Sequence, residues 1–179
     1  MSHELEVGKP GPKKMDDSVR VPLEVPKLLD CSFRDGGYLN GWDFPLSLIR
    51  KQLERLSLSG VEFCELGLRL PQSTDSDQLG FLGNVSPGLV RELAEQFPAV
   101  KLGVMANSRD FDSTSEIMPY FRGKPGAEGL GFIRIATHLS DFSKTVEMAL
   151  ALTEVGYPVF VNVMQVSEFS LDTLSRVFD

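Results

Sequence analysis

Apolar runs at Leu28–Phe33, Val61–Leu68, Val100–Ala106, Phe132–Thr137 and Val159–Met164 alternate with stretches whose apolar residues recur at helical spacing. The first strand is predicted from about Lys27 to Phe33. Asp43, Pro45 and the periodic Leu46, Ile49, Leu53 and Leu56 then predict a helix, closed by Gly60. A polar loop from about Pro71 to Val85 follows the second strand. Ser86-Pro87 reads as N-cap and first helical residue of a helix to about Phe97. A short helix around Ser115–Phe121 and a Gly-rich connection, Gly123–Gly131, lead to the fourth strand. Ser140 or Asp141 caps a helix to about Glu154 that Gly156 terminates, and a last helix begins near Ser170.

This is a repeated β/α unit, and it requires parallel strands joined by right-handed crossovers. Two architectures accept it: a five-stranded open sheet covered by helices on both faces, and a (β/α)8 barrel. A barrel needs about 250 residues, so this chain supplies roughly five of its eight units. Alternate strand residues face opposite sides. Asp30, Ser32 and Arg34 share one side of the first strand, and Leu29, Cys31 and Phe33 the other. Glu65, Gly67 and Arg69 fall together in the second. Arg134, Ala136 and His138 do so in the fourth, and Asn162 and Met164 in the fifth. One face is small, polar and charged; the other is aliphatic. An open doubly wound sheet is apolar on both faces. The expectation is therefore a TIM-barrel type α/β fold truncated to about its first five units, with strands in the order 1-2-3-4-5. Glu62, on the supposed outer side, fits this scheme least well.

Residues 1–25 are polar, rich in Lys, Pro and Gly, and lack either periodicity. They read as a mobile tail, leaving 26–179 as the folded domain. The net charge of −7 argues against a nucleic-acid partner. No apolar run approaches the roughly 20 residues of a membrane span, and the N-terminus lacks the apolar core of a signal peptide. Cys31 and Cys64 read as thiols of a cytoplasmic protein, not as a disulfide.

The residues with chemical potential gather where strands end. Arg34 and Asp35 close the first strand: a guanidinium fork for an oxygen gaining negative charge, and a hard oxygen ligand for Mg²⁺ or Mn²⁺. Gly36 and Gly37 would let the backbone approach a ligand or adopt a positive φ. The alternative is an Asp-Gly turn beside a surface arginine. Glu65, Arg69 and Arg134 form either a buried ion-pair network or a frame that positions substrate and orients Arg34. His138 could be a base, a substrate hydrogen-bonder or a structural histidine. Asn162 could bind substrate or cap a polar cluster. Met105 and Met164 read as packing, Trp42 with Phe44 as a staple of the first helix, and Asp75 and Asp77 as solvated charges. No Gly-x-Ser-x-Gly elbow or glycine-rich phosphate loop is present, and Cys31 falls on the outward parity.

Asp30-Cys31-Ser32-Phe33-Arg34-Asp35-Gly36 resembles the Asp-x-Thr-x-Arg-Asp-Gly opening of the DRE-TIM metallolyases, the HMG-CoA-lyase-like superfamily. Gly36–Phe44, with Gly37 and Tyr38, looks like the variant of 4-hydroxy-2-oxovalerate aldolase-type proteins. Glu65-Leu66-Gly67-Leu68-Arg69, Arg134–His138 and Asn162–Gln165 are similar to the family's second, fourth and fifth strands. The resemblance covers about Lys27 to the C-terminus. It implies a divalent-metal-dependent carbon–carbon lyase acting on a small 2-oxo acid, with Arg34 stabilising an enolate and Asp35 ligating Mn²⁺ or Mg²⁺. Gly36, Gly37, Tyr38, Glu65, Arg69, Arg134, His138 and Asn162 would contact substrate. The family's His-x-His ligands and its histidine base after Arg-Asp-Gly have no counterpart here, since His3 and His138 are the only histidines. Two other functions stay open. One is a non-catalytic half-barrel that self-associates or binds a complementing C-terminal half-barrel; the other is an acyl-CoA-dependent Claisen condensation or HMG-type cleavage.

Overall fold

The computed structural model describes residues 26–72, 74, 78–121 and 126–178. The expected tail, Asp75, Asp77 and the start of the Gly-rich connection lie outside these residues. The ordered elements are β1 (Leu29–Asp30), α1 (Ser32–Asn40), α2 (Leu46–Ser59), β2 (Phe63–Leu68), α3 (Pro87–Gln96), β3 (Lys101–Asn107), α4 (Thr114–Ile117), β4 (Leu130–Thr137), α5 (Phe142–Glu154), β5 (Val159–Val163) and α6 (Leu171–Phe178). The five strands lie in the order β1-β2-β3-β4-β5, and every pairing is parallel. The sheet curls as a half-barrel, as the side-chain parity predicts.

Apart from α1, where no helix is expected, the helices form where the spacing places them. Gly60 closes α2 in the left-handed region (φ 72°) and returns its N–H to Leu56. Ser86 caps α3 by accepting a hydrogen bond from the Leu89 amide, with Pro87 at the first helical position. Ile49 and Leu53 of α2, Val90 and Leu93 of α3, and Met148 and Leu152 of α5 are buried against the outer face of the sheet. There they meet Cys64, Leu66, Leu102, Val104, Ile133 and Ile135. Each such side chain contributes about 1.5–3 kcal/mol by leaving water.

The inner face is polar only in its upper half. At the N-terminal ends of the strands Phe63, Phe132 and Phe160 stand edge to face, with centroids 5.5–5.8 Å apart. Gly103 makes room for them: a Cβ there would lie 2.2 Å from the Phe132 ring. Glu62 precedes β2 at this rim, half-exposed, and pairs with Lys101 at 2.8 Å and Lys27 at 3.9 Å, so it is not a buried outer charge.

Two local features depart from simple strand parity. First, β1 is only two residues long, and Ser32 already begins α1, so the predicted strand to Phe33 is mostly helix. The Asp30 carboxylate accepts from the Ser32 amide (3.1 Å) and hydroxyl (3.2 Å), a turn that ends the strand. Leu29 pairs with Phe63 on the inner side, and Asp30 with Cys64 on the outer side. The expected inward side of Asp30 and outward side of Cys31 are thus reversed. Second, a bulge between Glu65 and Gly67 shifts β2 by one residue against β3. Gly67 therefore faces outward, where a Cβ would lie 1.9 Å from the Leu82 carbonyl oxygen. Arg69 follows it outward, and Leu68 and Leu70 turn inward instead.

Candidate active site

At the C-terminal ends of the strands, where barrel sites are built, a cavity of about 290 Å³ opens on the inner side. It is lined by Arg34 and Tyr38 of α1, Leu68 and Leu70, Met105, Asn107 and Asp110, and Ala136, Asn162 and Met164. One pleat below, Glu65 is wholly buried between two guanidiniums. Arg134 donates to it through Nε at 2.5 Å and Nη2 at 3.1 Å. Arg34 Nε lies 3.0 Å from Glu65 Oε1, an ion pair whose angle falls short of a hydrogen bond.

Burial pushes the Glu65 carboxyl up from its ordinary value, against the pull of Arg134 and Arg34. For Arg134 burial acts downward, but the hydrogen bond and charge of Glu65 outweigh it. With the Asp35 carboxylate on the other side of Arg34, two guanidiniums and two carboxylates alternate under the cavity.

α1 holds Arg34 in place. The Trp42 indole Nε1 donates to the Arg34 carbonyl at 3.0 Å, and the ring lies directly on Gly37, where a Cβ would come within 2.0 Å of it. The Arg34 guanidinium sits 5.8 Å from the Tyr38 ring centroid, and Tyr38 meets Trp42 edge to face. Gly37 thus serves close packing by Trp42, and neither Gly36 nor Gly37 has a positive φ. Phe44 packs on Phe33 of α1.

The remaining predicted residues divide. Asn162 joins Arg34 and Tyr38 in the cavity. Asp35 lies at its rim, 62% exposed, with its carboxylate on the Arg34 guanidinium. Arg69 is buried in the outer layer: Nη1 donates to the Tyr120 carbonyl at 2.8 Å, and the guanidinium stacks 5.5 Å from the Phe121 centroid. Burial lowers its pKa, with Glu128 and Tyr157 acting upward. His138 lies in a separate shallow cavity with Arg109, Ser140, Gln165 and Glu168.

Asp110 and Asn107 were not among the expected site residues. They sit just past the third apolar run, so the rule that chemistry sits at strand tips would have found them. Cys31 lies within electrostatic reach of Glu65, Arg134, Asp35 and Arg34. Burial first, then Glu65, raises its thiol pKa.

A divalent metal does not fit the donors present. Among the described residues no three His, Cys, Asp or Glu side chains come together, and Asp35 is engaged by Arg34. No helix of the described residues is long and apolar enough to cross a membrane.

The fold and the cavity define a parallel β/α half-barrel with a pocket at the C-terminal end of its strands that Arg34 and Asp110 line. No protein-family model matches the chain, and no curated protein matches it significantly. Among solved structures it is similar to one described as "the N-terminal domain of a putative aldolase from Bacteroides vulgatus", with a TM-score of 0.66 and 23% identity. The match covers 85% of this chain and 52% of that one, so the chain spans about half the length of its structural neighbour.

Proposed function

We propose that the cavity binds a small 2-oxo acid and stabilises its enolate, as the first half of an aldolase-like carbon–carbon lyase of the DRE-TIM type. The observation that carries this reading is the buried Glu65 held between Arg34 and Arg134 beneath a cavity of mixed polar and apolar lining. Glu65 fixes both guanidiniums before substrate arrives, so no reorganisation is needed when charge develops on the carbonyl oxygen. Arg34, which also lines the cavity, meets that oxygen, while Asn107, Asn162 and Tyr38 supply hydrogen bonds to the rest of the substrate. The likeness to an aldolase-described half-barrel supports the scaffold. The resemblance implies Mn²⁺ or Mg²⁺ on Asp35, but Asp35 is engaged by Arg34, so no step is routed through the ion.

Calorimetric titration with oxalate, a planar mimic of a 2-oxo acid enolate, tests the reading. Binding is expected in wild type and lost in Arg34→Ala. Equal affinity in both proteins would refute it.

A second reading rests on the β5 edge. Among the described residues β5 pairs only with β4, and it exposes Phe160 (42%) and Val161 (38%). That edge suits association with a second copy of the chain or with further β/α units, with or without catalysis.

A further inference from the structure

We propose that Asp110 is the acid–base residue of this cavity, removing and returning the proton on the carbon next to the carbonyl of a bound 2-oxo acid. This rests on the enolate-stabilising reading of the site and names the group that reading lacks. Enolate chemistry requires a base near the cavity, and the candidates can be taken in turn. Glu65 is locked between Arg34 and Arg134. Asp35 is held at the rim by Arg34. His138 lies in another cavity. The Cys31 thiol stays protonated near neutral pH because burial and Glu65 both raise it. Among the described residues lining the cavity, Asp110 is the only carboxylate.

Its placement is firm. Asp110 ends a 3-10 turn, Ser108–Asp110, that follows β3 directly. Ser108 is buried and donates to Thr137 at 3.1 Å, and Thr145 donates to the same hydroxyl at 2.7 Å, tying the turn to β4 and α5. Phe111, wholly buried, anchors the next residue. The adjacent Arg109 is turned away, with Nε 2.8 Å from Asp141. Arg34 and Tyr38 from α1 line the same cavity as Asp110. β4 and β5 present the neutral Ala136, Asn162 and Met164. Asp110 is exposed by surface area, and partial desolvation beside the cavity raises its carboxyl above its ordinary value. That moves a carboxylate toward the range in which it both takes and returns a proton.

The step balances without an oxidant. The Asp110 carboxylate takes a proton from the carbon next to the carbonyl. The C–H electron pair becomes the carbon–carbon double bond, and the carbonyl π pair moves onto oxygen, facing Arg34. Return of a solvent-exchanged proton from Asp110 regenerates the 2-oxo acid.

Proton NMR of pyruvate in D₂O follows this exchange as loss of the methyl signal, with buffer as baseline. Oxalate titration of each variant runs alongside. Wild type is expected to exchange the methyl protons. Asp110→Asn should exchange roughly a hundredfold or more slowly, in line with the loss of general-base catalysis, while keeping its oxalate affinity. Asp110→Glu should restore part of the rate. Exchange in Asp110→Asn at the wild-type rate, or wild-type protein that binds oxalate without exchanging pyruvate, would overturn the assignment alone. Failure to bind oxalate at all would overturn the reading of the cavity and this assignment with it.

Discussion

Glu65 accepts the Arg134 Nε hydrogen bond at 2.5 Å with none of its side chain in contact with solvent, and Arg34 closes from the other side. A buried carboxylate between two guanidiniums is costly to break from either end, because what remains is uncompensated charge. Glu65→Ala leaves Arg34 and Arg134 facing each other across a cavity. The expected loss is about 3 kcal/mol, read from urea-induced unfolding. Glu65→Gln keeps hydrogen-bonding capacity and loses charge, so it should fall between wild type and Glu65→Ala. Equal midpoints for all three proteins would show that the ion pairs add nothing to stability.

Gly37 has no room for a methyl group, since the Trp42 indole would lie 2.0 Å from it. Gly37→Ala should push the indole off α1, break its hydrogen bond to the Arg34 carbonyl, and cost about 1–3 kcal/mol by overpacking. Trp42 is the chain's single tryptophan, so its fluorescence reports the displacement without labelling, as a red shift. Gly36→Ala is the control: its Cβ would meet only the Phe44 ring, at 3.5 Å. A red shift of equal size in both variants would contradict the packing role given to Gly37.

The period of the chain made the fold legible. Five apolar runs separated by amphipathic helices require parallel strands, and the polar parity of one strand face selects the sequential order over an open doubly wound sheet. The polar inner face was legible too, but only where strands are regular. Asp30 and Cys31 were placed on the wrong sides because β1 ends after two residues, in a turn that Asp30 itself makes with Ser32. Arg69 was placed inside because the bulge between Glu65 and Gly67 carries no sequence mark beyond the glycine. Parity survives only while each residue adds one pleat, and a single extra residue exchanges the faces. Phe63, Phe132 and Phe160 are inward for the same reason that Arg134 is, so the lower interior was open to deduction from the pattern used for the upper one.

Cys31 and Cys64 should separate in alkylation. Cys64 is wholly buried in the outer core, and burial drives its thiol far upward. Cys31 is half-buried beside the Glu65 cluster, and its thiol also lies above the ordinary value. The thiolate is the reactive form. Native protein should therefore take iodoacetamide at Cys31 alone, more slowly than free cysteine at pH 7 to 8, with the rate rising as pH passes the ordinary thiol value. The sign also bears on stability: the unfolded chain loses this proton first, so the thiol's contribution to stability falls as pH rises through that range. Oxalate should slow the reaction if it binds above Arg34. Mass spectrometry of the modified peptides reads all three outcomes, and faster labelling of Cys64 than of Cys31 in the native state would contradict the assigned burial.

The β5 edge yields the last expectation. Backbone N–H and C=O groups on its outer side lack a strand partner among the described residues, and Phe160 and Val161 place apolar surface beside them. Such an edge recruits another strand unless charge or a bulge blunts it. The isolated chain should then associate in a concentration-dependent way, measured by light scattering after size exclusion. Val161→Lys puts a solvated ammonium on the edge without altering the inner face, since Val161 alternates with the inward Phe160 and Asn162. It should shift the distribution toward monomer while leaving oxalate binding intact. A wild-type chain that stays monomeric across the accessible concentrations would remove the edge as an association surface. If Val161→Lys lost oxalate binding together with association, the cavity would instead depend on the partner strand.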